Sequence, residues 1–513
     1  MRADRLEAYQ NHVNRNKQLA LPVGWADLLG TNTQGADTFE ADYLEVSVLK
    51  EKAIRIATLG ETTLEAATLE AATLEETTLE AATLEATTLE ATTLEATTLW
   101  VLSPILYSFV MWTLQKATKD KVERLYFLAR DGYLMYKVAK IIVQKMNLPI
   151  QCHYLYCSRY SLRTPLFHLN VEDALDYICR NSIKLNLRII LKRSGISRAQ
   201  REEVIKDLAL GIKPEEDIPY ARLKKIRKSL QESQVFINYL KDSSMKLIPS
   251  LGGYLAQEGL LDDVKCAIVD SGWTGFTQKV LNEALCYFGV KRNIVGYYWG
   301  LYTLPTKKDV ENCHGYYFMP AKNIKEKVYF SNSLFEAVFS APHGMTLGYR
   351  LYKGRYTPFY LPARKEVIDF QKNIEDVILQ YTEIQLSKIN NLVDFNSEKA
   401  KDVIFQVLKL FMTSPTREEV ACFGEIAFCD DVFEDSRQPI AAKLSNKDLK
   451  DNKLLPRILA MLGFKKDKIR ESGWYEGSVI RSEVHVNKYL RHYIIYKKLR
   501  YMRTAIRWKL RNE

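Results

Sequence analysis

Ile268-Val-Asp-Ser-Gly-Trp-Thr-Gly-Phe-Thr-Gln-Lys-Val280 is the stretch from which the rest of the chain can be read. The apolar run Cys266-Ala-Ile-Val269 reads as a buried strand, and Asp270 stands where that strand is expected to leave its sheet. Gly272 and Gly275 permit backbone angles that other residues resist, so a tight turn is expected between them. From Phe276 to Leu285 the apolar residues fall at helical spacing. A strand, a Gly/Thr-rich turn and a helix N-terminus together make a phosphate cradle, because the first turn of a helix presents unpaired N–H groups. The hydroxyls of Thr274 and Thr277 add donors, and Asp270 can hold sugar hydroxyls. The same pattern also serves a doubly wound sheet as plain architecture, and the stretch alone leaves both readings open.

Working outward, Arg124-Leu-Tyr-Phe-Leu-Ala129 reads as a second strand, closed by the turn Arg130-Asp-Gly132 and followed by a helix from Tyr133 to Lys145. Gln151-Cys-His-Tyr-Leu-Tyr-Cys157 is a third strand, closed by Ser158-Arg159. Three strands therefore end in polar, phosphate-competent residues, and ligands of open α/β sheets sit at strand carboxyl ends. Asn293 to Leu301 gives a further buried strand. Within Leu334 to Gly344, Glu336 is a candidate base and His343 a candidate proton carrier; the alternative is a helix residue and a satisfied loop histidine.

These signals predict an α/β protein with an open, mostly parallel sheet in residues 100–360, interrupted by a helical insertion at 171–250. The basic residues of that insertion are interleaved with acids, which reads as solvated helix faces and not as a nucleic-acid surface. Residues 361–487 read as mostly helical and residues 1–56 as an N-terminal segment without evident chemistry.

The net charge of +11 favours anionic partners. The 8 Cys include no CxxC pair, so reduced thiols of a cytoplasmic protein are expected, not a disulfide frame or zinc site. Leu99 to Trp112 is the most apolar run, short for a membrane span and containing Pro104, and is expected to be a buried helix.

Residues 57–99 repeat every five residues, with Leu at 59, 64, 69 and onward to 99. Five residues turn a helix through roughly 500°, a net 140°, so the leucines would scatter around it. A square solenoid of the pentapeptide-repeat kind would bring them inward; an irregular helix or disordered tandem expansion is the equal alternative. At the other end, residues 488–513 form a basic tail with aromatic residues among its cations. As an amphipathic helix it suits peripheral contact with an anionic inner membrane face.

Phe127-Leu-Ala-Arg-Asp-Gly-Tyr133, Tyr156-Cys-Ser-Arg159, Val269-Asp-Ser-Gly-Trp-Thr-Gly275, Glu336 to Gly344 and Glu471-Ser-Gly-Trp-Tyr-Glu-Gly-Ser478 carry a resemblance. Residues 100–485 resemble the phosphoribosyltransferase-like module of bacterial polysaccharide gene clusters, usually joined to a haloacid-dehalogenase type phosphatase. The resemblance implies transfer of a 5-phosphoribosyl group from phosphoribosyl pyrophosphate to a glycan acceptor, with Mg2+ as cofactor. It implies Asp270, Asp131 and Glu336 in the chemistry, and Asp131 on the metal. Arg130, Ser158, Arg159, Ser271, Gly272, Thr274, Gly275, Thr277 and His343 would bind substrate. Ser271 stands where ordinary phosphoribosyltransferases carry a second acid, and no Asp-x-Asp phosphatase motif precedes the module. A separate phosphatase is therefore expected to remove the 5-phosphate. The rival readings are a non-catalytic scaffold of a polysaccharide-assembly complex and a phosphatase using Asp270 or Asp131 as nucleophile.

Overall fold

A computed structural model of the chain describes residues 1–21, 92–182, 185–306, 308–429, 433, 437–462 and 472–510. Five strands form one sheet: β1 (Arg124–Leu128), β2 (Gln151–Leu155), β3 (Cys266–Trp273), β4 (Val295–Leu301) and β5 (Cys313–Phe318). Their order is β2-β1-β3-β4-β5 and every pair is parallel. The expected open parallel α/β sheet is present. Alternate residues supply its two faces, as strand geometry requires. Leu125, Phe127, Ala267, Val269, Tyr297 and Trp299 enter one core, whereas Tyr126, Leu128, Ile268 and Tyr298 enter the other.

The strand β3 runs past Asp270 to Trp273, because Gly272 pairs with Gly300 and Trp273 with Leu301. The turn expected from Gly272 onward is thus compressed to Thr274-Gly275, with helix Phe276–Tyr287 starting at once. The strand β5 carries no alternating pattern and was not expected from the sequence.

On the first face lie the helices Thr92–Lys119, Gly132–Lys145, Lys365–Leu386 and Ser397–Thr413. Thr92–Lys119 is long and apolar enough to cross a membrane, but its apolar window is wholly buried inside the protein. Residues 92–99, the end of the five-residue repeat, belong to this helix, with Thr93, Thr97, Thr98 and Leu99 all buried. A period that scatters leucines around a helix is acceptable where every side is covered. The rest of the repeat, 57–91, lies outside the described residues, as does most of the segment 1–56. What is described of that segment includes helix Ala3–Asn14, whose Leu6, Tyr9 and Val13 join the same core.

The second face is covered by Gln234–Gln257, Phe276–Tyr287 and the hairpin of β6 (Thr346–Tyr352) with β7 (Arg355–Tyr360). The insertion has a third core of its own, from Phe167 to Leu240, so the long helix Gln234–Gln257 belongs to insertion and sheet alike. Arg227 pairs with Glu172 and Asp176, and Arg188 with Glu202 and Glu215. All eight cysteines are free; Cys286 is exposed, although the residues around it in sequence are apolar.

The tail is helix Val486–Leu510. Its aromatic residues turn inward: Tyr489 and Tyr496 are buried, Tyr501 stacks on Tyr302 at 5.4 Å, and Trp508 packs against the second core.

Candidate active site

The order β2-β1-β3 puts the switch point of the sheet at the carboxyl ends of β1 and β3, where successive connections leave in opposite directions and where ligands of such sheets bind. Two loops and the end of a strand deliver the predicted residues there. Arg130 and Asp131 follow β1, Ser158 and Arg159 follow β2, and Asp270 and Ser271 lie within the last four residues of β3. The Ala129–Arg130 peptide is cis. A fourth element, helix Asn332–Phe339, brings Glu336.

Asp131, Asp270 and Glu336 sense one another's charge. Burial raises the pKa of each, and it is the largest cause for all three. Asp270 is pushed up to about 8, with Asp131 and Glu336 adding repulsion and Arg159 pulling it back. Glu336 is pushed up to about 7, held down by the Trp273 indole and by Arg159 and Arg130. For Asp131 the restraining groups are the Ser271 hydroxyl, Arg130 and Arg159.

Two bonds fix the carboxylates. Ser271 Oγ donates to Asp131 Oδ2, and Trp273 Nε1 donates to Glu336 Oε1 at 2.6 Å. The residue read as a missing second acid is therefore the donor that holds Asp131. Trp273 reaches Glu336 from a left-handed backbone, φ 73°, and its ring is packed by Phe318, Phe330 and Phe335.

Ser158 is structural as well as placed at the site. Its Oγ donates to Thr346 O at 2.6 Å and accepts from Ser161 N at 2.9 Å, capping helix Arg159–Arg163. Arg159, the first residue of that helix, is exposed. His343 Nδ1 donates to Gly344 O at 2.9 Å, so Nε2 accepts from Tyr154 OH at 2.7 Å. Burial lowers its pKa and keeps the ring neutral. With both nitrogens engaged, His343 fits the satisfied loop histidine better than a proton carrier.

Thr274 and Thr277 are half-buried at the start of helix Phe276–Tyr287, whose first N–H groups have no intrahelical partner. Gly275 caps this helix at φ 64°, and a Cβ there would lie 2.9 Å from Leu304 Cδ2. Gly272 has φ 108°, and a Cβ would meet Gly300 O at 2.6 Å. Both glycines are thus required by backbone and packing, without invoking a ligand.

Sequence reasoning missed two groups. Arg180, in the helical insertion, is exposed, and after burial its strongest influence is Arg159, which lowers its pKa. Two guanidinium groups close enough to repel one another, from separate elements, are an arrangement that an anion could bridge. They lie 21 residues apart in sequence, with no motif linking them. Tyr154, Tyr156, His343 and Tyr360 form an aromatic shelf beside the acids, with Tyr156 and Tyr360 stacked at 6.2 Å and an angle of 13°. The sequence holds 30 tyrosines, a signal for such a shelf that gives no position.

Among the described residues, no group of three His, Cys, Asp or Glu side chains gathers in metal-holding geometry. Carboxylates that repel one another nevertheless supply the hard oxygen donors magnesium uses. That ion is commonly held by one or two carboxylates plus substrate phosphates. Asp131 and Asp270 fit that pattern. No family model matches this chain, and no curated protein matches it either.

Proposed function

We propose that the chain is a transferase of bacterial surface-polysaccharide assembly. It moves a 5-phosphoribosyl group from phosphoribosyl pyrophosphate to a hydroxyl of a glycan acceptor. The observation that carries this reading is the convergence of Asp131, Asp270 and Glu336 with Arg130 and Arg159 at the switch point of a parallel sheet. An anionic donor with a sugar centre needs both signs of charge, and few simpler ligands do.

Arg159, Arg180 and Arg130 take the pyrophosphate end, while Thr274, Thr277 and the helix N-terminus take the 5-phosphate. Magnesium, when bound, neutralises charge on the leaving pyrophosphate. Glu336, with a pKa near neutrality, accepts the acceptor hydroxyl proton as that oxygen bonds to the anomeric carbon. The carbon–oxygen bond to pyrophosphate breaks, and its electron pair leaves with pyrophosphate. Asp270 faces the positive charge that develops on the ring. The product keeps its 5-phosphate, which a separate phosphatase must remove.

The test is calorimetry with phosphoribosyl pyrophosphate, with and without magnesium, together with acceptor-dependent release of pyrophosphate. Magnesium-dependent binding and release are expected. Absence of donor binding by the folded protein overturns the reading and leaves the scaffold reading.

A further inference from the structure

The last helix, Val486–Leu510, carries eight Lys and Arg and no acid. With its tyrosines turned inward, the outward face is aliphatic. Ile495, Leu499, Met502, Ile506 and Leu510 are 40%, 39%, 42%, 56% and 67% exposed. Their spacings of four, three, four and four residues make one stripe, about 22 Å long at the helical rise. At 100° per residue, Arg491, Lys498 and Lys509 fall along one edge of that stripe, and Arg503 and Arg507 along the other.

A neighbouring helix repeats the pattern. In Leu454–Leu462, Leu455, Leu459 and Leu462 are exposed at spacings of four and three. The two helices lie side by side and run the same way. The Arg457 guanidinium sits over the rings of Tyr493 and Tyr496 at 4.6 and 4.9 Å, and Arg503 donates to Met461 O at 2.5 Å. Eight exposed large aliphatic residues on two packed helices exceed the scattered apolar residues of an ordinary surface.

We infer that the Val486–Leu510 stripe, with the exposed face of Leu454–Leu462 beside it, docks the protein onto an anionic lipid bilayer. The aliphatic residues would enter the acyl boundary and the flanking cations would meet the headgroups. Charge decides the occupant. Two copies paired through this stripe would bring cationic edges together, and a nucleic acid would leave the aliphatic centre unmatched. An anionic bilayer satisfies both components at once. The inference does not depend on the proposed chemistry.

The full chain is mixed with phosphatidylcholine vesicles, with and without phosphatidylglycerol, and sedimented. Binding is expected with the anionic vesicles only and should weaken as salt rises. The double variant Leu499→Glu/Ile506→Glu, at exposed positions, should lose about tenfold in binding while keeping its melting temperature. Arg491→Gln/Lys498→Gln/Arg507→Gln should lower binding as well. Should Leu499→Glu/Ile506→Glu misfold, Met502→Gln/Ile506→Gln replaces it with the same expectation. Equal binding to both vesicles overturns the inference, and so does undiminished binding by the aliphatic variants. So does parent protein that stays in the supernatant, or a parent dimer that Leu499→Glu/Ile506→Glu dissociates.

Discussion

Asp270 and Glu336 have pKa values of about 8 and 7 in the folded protein against reference values of 3.8 and 4.5. The folded chain therefore holds protons that the unfolded chain has already released. Their contribution to stability is fully present below the reference values and is lost as pH rises toward 7 and 8. The ligand-free protein should melt lower at pH 8 than at pH 5. Asp270→Asn should melt higher than the parent at pH 8, by an order of 1–3 kcal/mol or a few degrees, with the gap narrowing at pH 5. Its turnover should fall by about a hundredfold or more, with a smaller loss of donor affinity. A differential scan and a pyrophosphate-release assay read the two effects. Trp273→Phe removes the donor that holds the Glu336 pKa down. The acid limb of the pH–rate profile should then move to higher pH, and an unmoved limb would show that Glu336 is not the base. Thr277→Val is the cleaner probe of the phosphate cradle, since any side chain at Gly275 strikes Leu304 first.

The helix Asn332–Phe339, which delivers Glu336, is braced from far along the chain. Ser331 Oγ caps it, accepting from Leu334 N at 3.4 Å and donating to Gly473 O at 3.3 Å. Trp474, next in sequence, is fully buried and donates from Nε1 to Met412 O at 2.8 Å. The motif around Ser472 to Ser478 thus supports the site from behind. Ser331→Ala should cost about 0.5–2 kcal/mol as a lost cap. Turnover should drop with donor affinity unchanged, which calorimetry beside kinetics can check. Elements of this kind were legible where apolar runs are bounded by turn residues, as in Arg124–Leu128, Gln151–Leu155, Gly132–Lys145 and Phe276–Tyr287. The strand Cys313–Phe318 was not, because its Gly and paired tyrosines carry neither alternation nor a clear boundary. Arg130, Asp131, Arg159 and Asp270 could be named because strand ends mark themselves. Arg180 could not, because only the folding of the insertion brings it to Arg159.

At the scale of the molecule, the first helix closes the fold against helix Ser397–Thr413 and the residues that follow it. Tyr9 OH donates to Glu419 Oε1, Arg5 pairs with the same carboxylate at 3.3 Å, and Tyr381 OH donates to Leu19 O at 2.8 Å. Removing residues 1–98 would strip Leu6, Tyr9, Val13, Leu19 and Ala96 from the core, so that truncation should unfold the protein. Replacing residues 22–91 by a short Gly/Ser linker spares those contacts. The result should be a folded protein that keeps donor binding, read by circular dichroism and calorimetry. A folded linker variant without donor affinity would place part of the site in the excised segment. The contact between Tyr9 and Glu419 also sets a clock. The two residues are 410 positions apart. At ribosomal speeds of about 5–20 residues per second, the second emerges roughly 20–80 s after the first. Throughout that interval the first helix can meet Thr98–Leu102 but lacks its partners on Ser397–Thr413 and at Glu419. This core can close only after residue 419 has been made, and until then Leu6, Tyr9 and Val13 are only partly covered by native contacts.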